Sequence, residues 1–84
     1  MVRVLFFASY REQLNTRQLE LAMEGESCSV ADLIARIIDD GGPVFQQVLS
    51  SENLVIAVNQ TVCDPQQRLH DGDELAFYPP VTGG

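Results

Sequence analysis

The last six residues have the types and the order that could carry chemistry. Residues 79–84 read Pro-Pro-Val-Thr-Gly-Gly, so this sequence ends at a Gly-Gly carboxylate. Each proline favours extended backbone, and glycine allows another molecule to approach the backbone closely. At ~3.3 Å per extended residue, the four residues after Pro80 could reach roughly 13 Å. Such a tail could carry its carboxylate into a narrow channel, or it could be an ordinary frayed terminus.

The body of the chain offers no comparable group. The serines have no obvious base, and the lone His70 lies in a turn-rich segment, where we expect a surface or capping role. Asp71, Asp73 and Glu74 form the densest acidic cluster. Asp-Gly-Asp is first of all a turn sequence. A metal site and a docking patch for a basic partner surface are the alternatives.

The charge balance limits the partners. Five Arg and no Lys face twelve acidic residues, which gives a formal net charge of −7. Nucleic acid and anionic membranes are bound by basic surfaces, so we expect neither as a partner. No apolar run approaches the ~20 residues of a membrane span, and the opening residues lack the features of a signal peptide. The predicted location is the cytoplasm.

The two cysteines are interpreted as small core or boundary residues. Cys28 and Cys63 would not form a structural disulfide in a cytoplasmic setting. Two thiols and one histidine so widely spaced do not make a zinc pattern. We therefore expect no metal site.

The carboxyl carbon of Gly84 remains as the candidate reactive atom. A carboxylate is inert to nucleophiles at neutral pH, so a partner would first have to make its oxygen a leaving group. Adenylation by ATP does this. A sulfur donor can then displace AMP and leave a C-terminal thiocarboxylate, which is a good sulfur nucleophile.

The elements that would present this tail begin with a strand at residues 2–9. The strand has one apolar face, while its second face carries Leu5 and Phe7 and is either also covered or a partner surface. Residues 10–16 hold one helical turn or a loop. Residues 17–24 alternate again and predict a second strand, paired with the first as a hairpin.

The clearest element is a helix that follows a turn at residues 25–29. Ser29 is the predicted N-cap, with Asp32 in a variant of the capping box. The apolar residues at helical spacing form one stripe: Val30, Leu33, Ile34, Ile37 and Ile38. Gly41 and Gly42 end the helix, and residues 44–50 could add a short second helix.

Strands dominate the remainder of the sequence. The apolar run at residues 54–58 predicts a strand buried on both sides, followed by a turn at 59–60 and a short return strand at 61–63. Residues 74–78 are the final strand and lead directly into the tail. One sheet packed on one main helix is an α+β domain. The predicted fold is a ubiquitin-like β-grasp, with residues 1–80 as the domain and residues 81–84 as a flexible reactive tail.

The sequence is similar to a known family. Its ending, Asp-Gly-Asp-Glu-Leu-Ala-Phe-Tyr-Pro-Pro-Val-Thr-Gly-Gly over residues 71–84, resembles the small, sulfur-carrying subunits of molybdopterin synthase. Residues 4–8, the Arg-Glu pair at 11–12 and residues 57–61 match the same family, so the resemblance covers the whole chain. The Tyr-Pro-Pro-Val-Thr-Gly-Gly ending is its most specific part.

The resemblance implies a carrier that is not an enzyme in isolation and binds no cofactor. A ubiquitin-activating-like adenylyltransferase would use ATP to form a transient acyl-adenylate on Gly84. A sulfurtransferase or cysteine desulfurase would then supply the sulfur of the thiocarboxylate. The tail would enter the large synthase subunit, in a two-plus-two heterotetramer, and give sulfur to a cyclic pyranopterin precursor. Two transfers would build the dithiolene that later holds molybdenum.

The resemblance also assigns roles to individual residues. The inserted tail corresponds to Val81, Thr82, Gly83 and Gly84. The docking surface for the large subunit corresponds to Phe7, Val62, Tyr78 and Arg11, with a tyrosine at 78 where the family commonly has phenylalanine. Three alternatives stay open: a sulfur carrier for thiamine or for tRNA thiolation, a protein modifier joined to lysines, and a non-covalent ubiquitin-like interaction module.

Overall fold

The structure is a computed structural model that describes residues 1–23 and 25–80. These residues form three helices and seven strands, joined by turns and loops. The elements in chain order are β1 (Val2–Phe6), α1 (Ala8–Leu14), β2 (Gln18–Leu21), β3 (Ser27–Ser29), α2 (Val30–Gly41), α3 (Pro43–Leu49), β4 (Val55–Val58), β5 (Thr61–Cys63), β6 (Arg68–His70) and β7 (Glu74–Tyr78). Glu24 and residues 81–84 lie outside the described part of the chain.

Five of the strands form one mixed sheet. Their order is β2-β1-β7-β4-β5, in which β1 and β7 run parallel and the other neighbours run antiparallel. The central strand is therefore β7, the last element before the tail. A separate two-stranded sheet pairs β3 with β6. The mixed sheet and main helix confirm the predicted α+β, β-grasp fold.

The core lies between one face of this sheet and α2. Alternation along a strand sends every second side chain to the same face, so Val2, Val4 and Phe6 of β1 are all buried there. The Phe6 ring stacks on Phe77 of β7 with ring centroids 5.7 Å apart. Phe45 of α3 packs edge-on against Phe6 at 5.9 Å. The three aromatic rings join the sheet to the helical layer.

The ends of α2 are as predicted. The Ser29 hydroxyl accepts a hydrogen bond from the Asp32 N–H at 3.0 Å, and the Asp32 carboxylate accepts one from the Ser29 N–H at 3.3 Å. This capping box satisfies N–H groups that have no partner inside the helix. Gly42, at φ 84°, ends α2, and Pro43 begins α3.

Several predicted boundaries are wrong, and the reasons are local. The strand predicted at 2–9 stops at Phe6, because Ala8 takes φ 54° and turns the chain into α1. Ala8 therefore does not share the buried face of β1, and the predicted helical turn at 10–16 is a seven-residue helix that starts earlier. The second strand is shorter than predicted. The turn predicted at 25–29 is partly a strand, β3, whose partner β6 was also not predicted.

The strand predicted at 54–58 is confirmed as β4, from Val55 onward. Its last three residues, 56–58, are buried, while its beginning is half-buried. Among the described residues, no helix is long and apolar enough to cross a membrane.

Candidate functional site

The central strand of the sheet holds the base of the tail. β7 is hydrogen-bonded to β1 on one side and to β4 on the other, and it ends at Tyr78. Pro79 and Pro80 follow and are half-buried. Because β7 is paired on both sides, the sheet fixes the position from which Pro79 and Pro80 continue. The predicted inserted tail, Val81 to Gly84, lies outside the described residues, so its role stays a prediction.

The face of the sheet opposite α2 has an apolar half and a polar half. Strand alternation and the pairing register place the following side chains together on the apolar half, here named the docking face: Leu5, Phe7, Val55, Ala57, Val62, Ala76 and Tyr78. The polar half carries Arg3, Gln18, Glu20 and Glu74. Because Phe7 and Tyr78 lie where β1 and β7 end, the apolar half is on the side where the tail leaves the fold.

Phe7 and Tyr78 are in direct contact. Their rings are stacked with centroids 4.6 Å apart and planes 5° from parallel. The Phe7 N–H donates to the Phe77 carbonyl at 3.2 Å, which keeps Phe7 in line with β1 for one residue beyond the strand. The Phe7 side chain is still 36% exposed. The structure thus brings two of the four predicted docking residues together at the root of the tail.

Val62 lies on the same face, two strands away from β7. It is 72% exposed on the edge strand β5, opposite Ala57 of β4, which in turn is opposite Ala76 of β7. The hairpin between β4 and β5 turns at Asn59 and Gln60, whose φ angles of 50° and 69° are those of a type I′ turn. Two buried alanines thus form a flat floor between Val62 and the Phe7–Tyr78 pair.

Arg11 is an exposed residue of α1, one helical turn beyond Phe7. Arg11 is therefore not on a strand of the sheet that forms the docking face. The sequence also flagged Leu5, whereas Val55, Ala57 and Ala76 were missed. The alternation within β4 and β7 indicates that these side chains share a face of their own strand. Only the pairing of the strands shows that this face is the one that carries Phe7 and Tyr78.

A groove of about 520 Å³ lies next to the base of the tail, lined by α1, α3 and the two prolines. Its lining includes the hydroxyls and amides of Ser9, Gln13, Gln47 and Ser51. These neutral groups can hydrogen-bond an extended backbone without attracting a net charge. Nothing in the sequence pattern indicated this groove, because its two walls come from segments more than thirty residues apart.

The Asp-Gly-Asp sequence of the acidic cluster lies in a turn, as predicted, and Asp73 is hydrogen-bonded there. Its carboxylate accepts hydrogen bonds from the His70 N–H at 2.8 Å and from the Asn59 amide at 3.0 Å. Burial raises the pKa of Asp73, but these two hydrogen bonds and the nearby His70 together lower it, so the net shift is downward. Asp71 is paired with the N-terminal amine. The described residues contain no group of three or more His, Cys, Asp or Glu side chains that could hold a metal ion.

The two cysteines are half-buried and are not joined in a disulfide. Both pack against the edge of the hydrophobic core, which confirms their interpretation as boundary residues. Burial, and then the neighbouring Asp64 carboxylate, raise the pKa of the Cys63 thiol. A raised pKa keeps the thiol protonated and weakly nucleophilic at neutral pH.

A mixed sheet packed on one main helix, with its central strand leading into Pro79 and Pro80, defines a domain of the β-grasp class. The chain belongs to the ThiS family, which it matches over residues 4–84. It is 37% identical to the molybdopterin synthase sulfur carrier subunit of Escherichia coli, and the alignment covers 100% of both chains.

Two solved structures are similar in fold. The small archaeal modifier protein 1 from Methanosarcina acetivorans has a TM-score of 0.73 and 26% identity, covering 99% of this chain and 95% of its own. A complex of subunits 1 and 2 of molybdopterin-converting factor from Helicobacter pylori contains a chain with a TM-score of 0.71 and 24% identity, covering 99% of this chain and 97% of its own.

Proposed function

We propose that this chain is the sulfur carrier subunit of a molybdopterin synthase and that Gly84 carries the sulfur. The observation that carries the proposal is the position of the docking face. Its stacked pair, Phe7 and Tyr78, stands at the end of the strand that continues into Pro79 and Pro80. A partner that binds this face would meet the tail at a fixed distance from its own surface. The full-length similarity to named sulfur carrier subunits supports the same function.

The proposed chemistry has three stages, which are activation of Gly84, loading of sulfur and transfer of sulfur to the precursor. A Gly84 carboxylate oxygen attacks the α-phosphate of ATP and releases pyrophosphate, which leaves an acyl-adenylate. The terminal sulfur of a donor persulfide then attacks the carboxyl carbon and expels AMP, which leaves an acyl disulfide. A second thiol reduces this disulfide, so that the donor sulfur leaves in a new disulfide with that thiol and the thiocarboxylate stays on Gly84. In the last step this sulfur attacks a carbon of the pyranopterin precursor and displaces an oxygen substituent from it, and water cleaves the Gly84 acyl–sulfur bond to restore the carboxylate. The chain supplies the carrier atom, and its partners supply the catalytic groups.

The proposed partner for the last step is the large subunit of the synthase. A similar chain from Helicobacter pylori is described in a complex of subunits 1 and 2 of molybdopterin-converting factor. Here Phe7, Tyr78 and Val62 would fill apolar pockets of that partner, with Arg11 at the polar rim. Apolar centres with polar rims are the usual anatomy of specific interfaces. A two-plus-two assembly, the adenylyltransferase and the sulfur donor belong to the same proposal.

A protein modifier is the second candidate function. Its support is the 26% identity to a small archaeal modifier protein, and the absence of lysine from this chain means that an activated Gly84 would find no ε-amine on its own molecule. Both candidates need the same activated tail. They differ in what attacks it, a sulfur donor or a lysine amine of another protein.

Intact-mass spectrometry of the chain from its own cells tests the proposal. A sulfur-for-oxygen mass difference on the C-terminal peptide is expected for the carrier. Gly84 linked to lysines of other proteins, with no thiocarboxylate, would replace the carrier by the modifier. In a reconstituted system, Gly83→Ala should reduce sulfur transfer less than one extra residue after Gly84, since the extension displaces the reactive carbon.

A further inference from the structure

An apolar groove lies on the helix side of the sheet, away from the docking face. β2 is an edge strand with only β1 as its neighbour in the five-stranded sheet. Beside it, β2, α2 and α3 enclose a groove of about 270 Å³. Its floor is apolar and consists of Leu19, Leu21, Ile37 and Phe45, and its rim carries the exposed carboxylate of Asp40.

The hydrogen-bonding register shows which backbone groups of β2 face outward. The Phe6 N–H donates to the Arg17 carbonyl at 3.0 Å, and the same register pairs Val4 with Leu19. In an antiparallel pair, hydrogen-bonded residues alternate with residues that point away. Gln18 and Glu20 therefore direct their N–H and C=O groups away from β1. Among the described residues, no other group bonds to them.

The backbone carbonyl of the next outward-facing residue, Ala22, already has a hydrogen-bond partner. The Ala22 carbonyl accepts a hydrogen bond from the Arg36 guanidinium at 2.9 Å, which closes this end of the strand edge. The open edge is therefore limited to Gln18 and Glu20. An added strand would pair with these two residues, and its alternate side chains, opposite Leu19 and Leu21, would point into the groove.

The C-terminal end of α2 carries negative charge beside the groove. Asp39 and Asp40 lie in the last turn, where the helix dipole disfavours acids, and no basic residue accompanies them there. Gly41 at the same end leaves room for the Phe45 ring, because a Cβ on residue 41 would lie 2.4 Å from that ring. A second copy of this chain is a poor occupant, because each copy carries a net charge of −7. A basic segment is the complementary one.

We infer that the β2 edge and its groove bind an extended segment of a partner protein, with aliphatic side chains at alternate positions and Lys or Arg beside them. The segment adds a strand to β2 at Gln18 and Glu20, and a flanking cation pairs with Asp40. Because this surface is on the opposite side of the sheet from Phe7 and Tyr78, it can be occupied while the tail is engaged. The inference does not depend on the chemistry of Gly84.

The test uses a synthetic peptide with the sequence Lys-Lys-Val-Thr-Val-Thr-Val-Lys-Lys and a matched peptide with Glu in place of each Lys. Titration of the ¹⁵N-labelled full chain should give saturable amide shifts at residues 18–21 and 37–45, with the amides of Phe7, Val62 and Tyr78 unchanged. Shifts confined to the docking face, or no saturable shifts, would overturn the inference. Shifts at β2 that arise from dilution of the chain alone would replace it by self-association.

Two variants separate the backbone and charge contributions. Glu20→Pro removes an outward N–H that β1 does not use and should weaken the Lys peptide at least tenfold. Asp40→Lys should weaken the Lys peptide about two- to tenfold at low salt and strengthen the Glu peptide. Glu52→Lys, the same charge change on an exposed loop, is the control and should leave this preference unchanged. If Asp40→Lys and Glu52→Lys act alike, the groove does not select a basic segment.

Discussion

Replacing Phe7 with alanine should weaken binding to the large synthase subunit while the chain stays folded. The ring is 36% exposed and stacks on Tyr78. Its removal from the free chain loses one stacked pair, worth about 0.5–1.5 kcal/mol, and part of its buried surface. In the proposed complex the same ring fills a partner pocket, where an aromatic anchor typically contributes at least about 2 kcal/mol, or ~30-fold in Kd.

Isothermal titration calorimetry with the cognate large subunit measures this loss, and urea unfolding measures the cost to the fold. Val44→Ala is the matched control, because Val44 is 50% exposed on α3 and lies off the docking face. The double variant with Tyr78→Ala should lose less than the sum of the single variants, since the two rings contact each other. A Kd for Phe7→Ala that equals the Kd of the Val44→Ala control would refute the assigned docking face.

Three further predictions concern the fold that presents the site. Gly41→Ala should destabilise the chain by about 1–3 kcal/mol in urea unfolding despite the better helix propensity of alanine, and in a Phe45→Ala background the same change should be neutral or stabilising because the clashing ring is gone. Asp73→Asn should raise the free energy cost of folding by about 1–2 kcal/mol at pH 7. Because the folded-state pKa of Asp73 is lowered, the carboxylate stabilises the fold above its unfolded pKa of ~3.9, and this stabilisation is lost as pH falls through the folded pKa. An equal cost of the substitution at pH 7 and pH 2 would contradict the assignment. Ser29→Ala should cost about 1 kcal/mol through the lost N-cap, and an unchanged unfolding midpoint would show that the cap contributes nothing.

Sequence patterns predicted the elements whose signal is local. α2 has its full apolar stripe, its cap residue and its terminating glycines within fourteen consecutive residues, so both its type and its ends followed from the sequence. The central strand β7 and the β4–β5 hairpin were also predicted, because each combines an apolar run with a turn sequence. The predicted docking residues Phe7, Val62 and Tyr78 came from family resemblance; the structure places them on one face, and their docking role stays a prediction.

Elements that depend on distant partners were not predictable in this way. β3 and β6 are three residues each, and their pairing joins residues about forty positions apart. Neither has enough alternation to signal a strand alone. The start of α1 depends on Ala8, a non-glycine residue with positive φ, which sequence propensity does not anticipate. The β2 groove depends on the order of strands in the sheet, and that order is a property of the folded chain.

The central claim is that Gly84 of this chain carries the sulfur that reaches the pterin. The most direct measurement combines the large subunit and the pyranopterin precursor with the chain in three forms, the thiocarboxylate, the unmodified carboxylate and a Gly84 deletion, and quantifies the dithiolene product. We predict product from the thiocarboxylate alone, in an amount set by the sulfur loaded, and a folded but inactive Gly84 deletion. Equal product from the deletion, or no product from the thiocarboxylate, would contradict the account.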